Sequence, residues 1–371
     1  MDAATALIQI YRNAYMRLLE SIAQKELACK STRYQRALIG DVRSTLGQLD
    51  KTTEAWVKTQ IPKMYKYGVD AAALPWTMND LVPPPLPQGF AQVHQAAVEA
   101  IAQNMANQLK DATAFVGRRI EDQVRTATLE ATAQKFATGE TLRDMKADLV
   151  NTFVDEGLTA IKDGSGRQWR LDTYAEMVTR TTTAEAANTG TMMQLKGFGH
   201  DLVQMTEHRS PCEICAMYEG RVYSIEGKTP GYPRLDQVPG FADGYNNIHP
   251  NCIHAVAAYI PNFDKDAEAR RARSNAPFED KRSDADKAAY ERSQQQNTLR
   301  RDRKRLEEKV AVLPKDSDEY KAAREKLRET RSQQQSLGRE QRAWKEQSAK
   351  ENRAYYAARD AGQDVKMPGL R

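Results

Sequence analysis

Two stretches decide how this chain is read: Cys212-Glu213-Ile214-Cys215, and further along His249-Pro250-Asn251-Cys252-Ile253-His254. A Cys-x-x-Cys turn sets two thiolates on one side of a knuckle, at the span one tetrahedral ion needs. His249-x-x-Cys252 has the same spacing and can close the site from a second turn. Cys252 and His254, two residues apart, share a face if their segment is extended. Of the four cysteines, only Cys29 lies outside these stretches. Such clustering points to a metal in a reducing compartment rather than to a disulfide framework. Five donors are present and a structural Zn²⁺ takes four. The spacing assigns Cys212, Cys215 and Cys252, with His249 or His254 as the fourth ligand and a lean toward His249. The unused histidine then steadies a sulfur or the loop.

The surrounding segment explains why an ion is needed. Residues 197–260 are dense in Gly, Pro, Tyr and Asn, with short strand-like pieces at Arg221-Val222-Tyr223-Ser224 and Ala255-Val256-Ala257-Ala258-Tyr259. A β-rich module with so few apolar residues cannot build its own core and calls for a staple. A structural Zn²⁺ supplies about 10–16 kcal/mol in small peptide modules. A catalytic ion is not expected. No His-Glu-x-x-His occurs, and no His-x-Glu precedes Cys212. Asn246, Asn247 and His249 bear only a faint likeness to a nuclease metal loop. Phosphate-cradling glycine loops and Gly-x-Ser-x-Gly are absent too, so the chain reads as a non-enzyme.

Outward from this module the pattern turns helical. Residues 1–70 carry apolar positions at three- and four-residue spacing (Ile8, Tyr11, Tyr15, Leu18, Leu19, Ile22, then Tyr34, Leu38, Val42, Leu46, Leu49). Pro62 is expected to kink or stop this region and Gly68 to cap it. Residues 71–90, with Val82-Pro83-Pro84-Pro85-Leu86-Pro87, read as an extended linker. Residues 91–196 form a helical domain: Val93, Ala97, Ile101, Met105 and Leu109, then Phe115, Val116, Ile120 and Val124, mark one face. Gly139 breaks it, and Leu142, Met145, Leu149 and Phe153 define a helix ending at Asp163-Gly164-Ser165-Gly166. Thr173-x-x-Glu176 is a candidate capping box for a helix through about Leu195. His94, Tyr174, Met177, Val178 and Cys29 read as packing residues, and His208 as a donor the site does not need. The fold class expected is mainly α with a small zinc-stapled β-rich module (α+β).

The 371 residues are 40% hydrophobic and 28% charged, with net charge +5 and a mean hydropathy of −0.72. No apolar run approaches the length of a membrane-spanning helix, and the N-terminus lacks a signal-peptide layout, so a soluble chain is expected. The charge is uneven: residues 261–371 carry +7 and the rest −2. This alanine-, glutamine- and arginine-rich tail should form long exposed helices or stay partly disordered. Arg292-Ser293-Gln294-Gln295-Gln296 recurs as Arg331-Ser332-Gln333-Gln334-Gln335. Between them Val312-Leu313-Pro314-Lys315-Asp316 reads as a turn and Asp316-x-x-Glu319 as the next helix start, which suggests a helical hairpin. Arg300, Arg301, Arg303, Lys304 and Arg305 are the candidate phosphate contacts; a solvated helix face is the competing reading.

Tyr174, Arg180-Thr181, the helical run to Gly197, Cys212-x-x-Cys215, Gly220-Arg221-Val222-Tyr223 and the final His249–His254 motif together resemble tailed-phage minor capsid or head-morphogenesis proteins, the phage minor capsid protein 2 group. The likeness is most specific over residues 170–260 and looser over the helical front, Ser274–Arg282 and the tail. That group's last motif usually reads His-Pro-Asn-Cys-Arg-His or ends in Cys; here Ile253 stands for the Arg, and the Cys/His exchange keeps His254 in contention as a ligand. The resemblance implies a virion structural protein in the capsid interior, met in the host cytoplasm during assembly. It implies portal and other head proteins as partners, and a role in head assembly and DNA packaging or delivery, with packaged DNA a candidate partner of the tail. The alternatives are a zinc-containing nucleic-acid-binding protein without a capsid role, and a metal-dependent nuclease or hydrolase.

Overall fold

Long amphipathic stripes give three long helices: α1 (Ala3–Gln24), α2 (Ser31–Thr77) and α3 (Phe90–Ala137). An antiparallel strand pair follows, β1 (Thr159–Lys162) and β2 (Gln168–Arg170), which leads straight into α4 (Leu171–Gly197). The computed structural model describes residues 3–24, 31–137, 153, 159–162, 168–208 and 211–360. The expectations for Cys29, for Gly139, for a helix through Leu142, Met145 and Leu149, and for a turn at Asp163–Gly166 fall outside them. Leu7, Tyr11, Leu18, Leu38, Ile61, Leu109, Val116 and Ala175 are buried together where α1, α2, α3 and α4 meet. Each fully buried large apolar side chain contributes about 1.5–3 kcal/mol.

Two expectations about α2 are overturned. The helix passes through Pro62 and Gly68 and continues to Thr77. Ile61 and Tyr65 are buried on either side of Pro62, and that packing outweighs the roughly 3 kcal/mol an internal proline costs. Gly68 is no cap. A Cβ there would fall on the Ala187 carbonyl of α4, and one at Gly190 would fall on the Tyr65 carbonyl of α2. The two glycines let α2 and α4 cross backbone against backbone, and Thr191 Oγ1 donates to Gly68 O at 3.0 Å across the contact. Along α3, Val93 and Phe115 turn out exposed, while Ile101, Met105, Leu109, Val116, Ile120 and Val124 are buried as expected.

The second half is built on this crossing. Strand β3 (Leu202–Met205) is the centre of a three-stranded antiparallel sheet, flanked by β4 (Val222–Ser224) and β5 (Val256–Ala258). Its apolar side is completed by the helices: Ala72 of α2 and Met192 and Leu195 of α4 are buried with Val203, Met205, Tyr223 and Val256. Short helices α5 (Glu213–Tyr218), α6 (Pro239–Ala242) and α7 (Ala267–Asn275) surround the sheet. The fold is therefore mainly helical with a small antiparallel sheet. The charged tail forms two long helices, α8 (Asp284–Val312) and α9 (Asp318–Asp360), packed along each other.

Helix starts also differ from the expected ones. α4 begins at Leu171, directly after β2, with Arg170 at the N-cap and no side-chain cap, and inside its first turn Asp172 Oδ1 accepts from Thr173 N at 2.8 Å. At α9, Ser317 Oγ accepts from Tyr320 N at 3.1 Å, so the cap is one residue later than Asp316. Gly68→Ala is expected to lower stability by about 3 kcal/mol through overpacking at the crossing. Gly40→Ala, with open space around its Cβ, should raise it by about 0.5–1 kcal/mol. Denaturant midpoints of the two variants check the pair; equal shifts would show that the crossing is loose.

Candidate metal centre

The knuckle is the first turn of α5. Cys212 is its N-cap, its sulfur accepting from Cys215 N at 3.3 Å, and Cys215 follows one turn later in the buried interior. The second donor segment is a loop pinned to α4. Asn188 Nδ2 donates to Asn246 O at 2.8 Å, Asn246 Nδ2 to Thr189 Oγ1 at 2.8 Å, and Asn247 Nδ2 to Thr181 O at 3.0 Å. Asn251 N donates to Thr181 Oγ1 at 3.0 Å. Asn246 and Asn251 hold φ of 52° and 61°, a left-handed backbone that asparagine tolerates better than most residues. From inside the loop, α6 presses its backbone at Gly240 against the Asn247 carbonyl, where a side chain would not fit.

These elements bring all five sequence-predicted donors together, as two overlapping trios that share Cys215: Cys212, Cys215 and His249, and Cys215, Cys252 and His254. The cluster could hold a metal ion. His249 Nε2 lies 3.2 Å from Cys212 Sγ and 3.0 Å from Cys215 Sγ. Cys215 and Cys252 are 3.7 Å apart sulfur to sulfur, close to the edge of about 3.8 Å that two thiolates span on a tetrahedral Zn²⁺. His254 Nδ1 is 3.4 Å from Cys252 Sγ. Each imidazole is oriented from behind. His249 donates Nδ1–H to Pro250 O at 2.7 Å, and His254 donates Nε2–H to Glu219 Oε2 at 2.9 Å. Both therefore aim the opposite nitrogen at sulfur, as metal-binding histidines do.

Packed this closely, the thiols and imidazoles shift one another's protonation. A hydrogen bond from Cys215 pulls the Cys212 thiol down to about 3, with help from His249 and against burial. A second one from Cys215, with help from His254, brings Cys252 down to about 4. Cys215, donor to both and buried, is pushed up. The hydrogen bond to Cys212 raises His249 to about 9. Burial opposes a charge on His254, but Cys252 and Glu219 outweigh it and raise it to about 9. The remaining histidines stand aside. His208 packs edge-on against His254 at 4.5 Å, and His94 bonds the Tyr65 hydroxyl at 2.9 Å. Glu219, buried behind His254, is the contributor that spacing alone did not single out; its place is visible only once β4 and β5 flank the same strand.

A family model described as phage minor capsid protein 2 matches residues 2–340. The chain belongs to that family. No curated protein and no solved structure matches it. Membership makes this a structural protein of a phage head, located in the virion, with other head proteins as its partners. Among the described residues no helix is long and apolar enough to cross a membrane.

In this minor capsid protein the basic run on α8 is divided. Arg300, Arg301 and Arg305 are exposed, whereas Arg303 and Lys304 turn inward. Arg303 donates to Gln334 Oε1 of α9 at 2.8 Å. Lys304 pairs with Asp172, which is 1% exposed, and Arg170 pairs with Glu308 at 2.6 Å while its guanidinium lies 4.5 Å over the Tyr15 ring. Burial pushes Asp172 up, but the Arg170 and Lys304 charges outweigh it and hold the carboxyl below its usual range. The Lys304–Asp172 and Glu308–Arg170 pairs fasten the tail to α4 and β2, while Arg303 bonds within the tail itself.

Lys304→Met should cost about 3 kcal/mol by leaving Asp172 short of a partner. Faster amide exchange in α8 than in α2 would report it, and unchanged exchange would refute the clamp. Glu219→Gln should loosen the hold on His254 and speed amide exchange at His254 and Ala255, and unchanged exchange there would show that Glu219 does not position the ring.

Proposed function

We propose that this minor capsid protein is a non-enzymatic component of the head interior, near the portal, that aids head assembly and DNA packaging or delivery. In this reading a structural Zn²⁺, held by Cys212, Cys215, Cys252 and His249, ties α5 to the loop that carries His249 and Cys252 within the β module. The single observation behind it is the donor set itself, three thiols and two imidazoles gathered at one place, with Cys215, Cys252 and His254 buried and Cys212 and His249 half-buried. A structural zinc site fills all four positions with such protein ligands, whereas catalytic ones keep a position for water. His249 is preferred as the fourth ligand because its Nε2 lies within 3.2 Å of both the Cys212 and Cys215 sulfurs, closer than the 3.4 Å between His254 and Cys252. His254, backed by Glu219, then orients the Cys252 sulfur. A stapled module set on long helices suits a part that must keep its shape while wedged among other head proteins.

Elemental analysis of the purified chain should find about one zinc per molecule, as a single four-ligand site requires. Cys212→Ser and Cys252→Ser are expected to lose that zinc, unfold residues 197–260 and keep the chain out of heads. His249→Ala should lose the metal as well, and His254→Ala should only loosen it. A metal-free variant that stays folded and enters heads would overturn the structural role, and zinc-dependent turnover of a nucleic acid or peptide would overturn the non-enzymatic one.

A further inference from the structure

The basic side chains of α9 are not scattered. Lys321, Arg324, Arg328, Arg331, Arg339 and Arg342 succeed one another at helical spacings of three or four residues, with Gln335 filling the step between Arg331 and Arg339, and all are exposed. Ala323, Leu327, Thr330 and Gln341, each one position before a stripe residue, are buried, so the buried side lies about 100° round the helix and the stripe runs along one edge of the exposed face. Acidic residues are placed off it: Glu319, Glu329 and Glu340 lie on the flanks, and Glu325 sits at its edge. Lys321 pairs with Asp318 at 3.1 Å and Arg331 with Glu307 at 3.1 Å. At a rise of about 1.5 Å per residue the stripe is about 32 Å long, close to the roughly 34 Å of one duplex turn. Arg303 of α8 joins Arg339 and Arg342 around one shallow recess.

We infer that this arginine face of α9 is a binding surface for the phosphate backbone of duplex nucleic acid. The inference rests on the DNA-packaging part of the proposed function and places a DNA contact on α9, whereas the sequence alone points to the α8 run. Guanidinium groups suit the partner, because their planar fork matches phosphate oxygens two at a time. The stripe positions carry no aromatic side chain on which bases of a single strand could stack. They carry no apolar anchor of the kind that centres protein–protein contacts or enters a lipid surface. What remains is a straight, regularly charged edge, and a duplex backbone presents phosphates at comparable regularity. Binding of this kind reads shape and charge rather than sequence.

The test uses the full-length chain and a fluorescent 30-base-pair duplex, with anisotropy measured over a potassium chloride series. Replacing Arg324, Arg328, Arg339 and Arg342 with glutamine should weaken binding by about tenfold or more and flatten the log–log salt slope by about 3–4, near 0.9 per lost phosphate contact. Arg300→Gln with Arg301→Gln on α8 should change affinity less than about twofold. Should the fourfold variant lose its helical circular dichroism, the pairs Arg324/Arg328 and Arg339/Arg342 are replaced separately, each taking about half of the slope change. Binding unaltered by the α9 changes, equal loss from the α8 changes, or displacement by poly-L-glutamate as effective as by unlabelled duplex would each overturn the inference. A wild-type chain that enters heads yet ignores duplex sinks this inference and spares the proposed function; one that binds duplex as described but never enters heads does the reverse.

Discussion

The contact on which the rest of the molecule depends is the crossing of α2 and α4 at Gly68 and Gly190. With no side chain at either position, two helices of very different surroundings touch through their backbones. This fixes α4 as the shared axis. Its first turn takes the buried charges of the tail, its middle presents Thr181, Asn188 and Thr189 to the loop that carries His249 and Cys252, and its end lends Met192 and Leu195 to the sheet. A change of a few tenths of an ångström at the crossing is passed to all three, because packed interiors transmit displacement rather than absorb it.

The donor cluster shows why such a fixed axis matters. Two thiolates and two imidazolium-prone rings sit in a region where unpaired charge is costly. They stay together because α5 holds one pair of cysteines and α4 holds the opposing loop. The sheet alone could not do this, since its strands run only three or four residues each. Its interior is borrowed from α2 and α4, which agrees with the scarcity of apolar residues in 197–260. An ion bridging α5 to the loop that carries His249 and Cys252 would add a bond between two segments that the borrowed core already packs together through Cys215, Tyr218, Ile248 and Cys252.

Periodicity carried most of the helical architecture, because a stripe at three- and four-residue spacing depends only on neighbours along the chain. The five donors were legible for the same reason: Cys-x-x-Cys and His-x-x-Cys are local geometries. What failed were readings that needed a second element. Gly68 resembles a helix cap when α4 is not in view, and Pro62 a stop when the burial of Ile61 and Tyr65 is unknown. Glu219 becomes a partner of His254 only through the pairing of β3 with both β4 and β5. The α8 run Arg300–Arg305 has the highest local density of positive charge, and only the fold shows that Lys304 within it is engaged by Asp172 while Arg300, Arg301 and Arg305 are exposed.

That last point has a physical consequence for the tail. Leu313 at the α8–α9 turn joins the bundle core, but farther along α8 the attachment is made by Lys304, Arg170, Asp172 and Glu308. Buried ion pairs add little net stability over an apolar contact, since desolvation offsets most of the attraction. They do fix rotation, because a charge turned away from its partner inside the protein is heavily penalised. Lys304 and Glu308 of α8, one cation and one anion facing inward, set the roll of the hairpin about its own axis, and with it the direction of every side chain on α9. The arginine stripe is thus presented outward by the same ion pairs that withdraw Lys304 from solvent, so a substitution deep in the α8 contact would disturb the outer face without touching it.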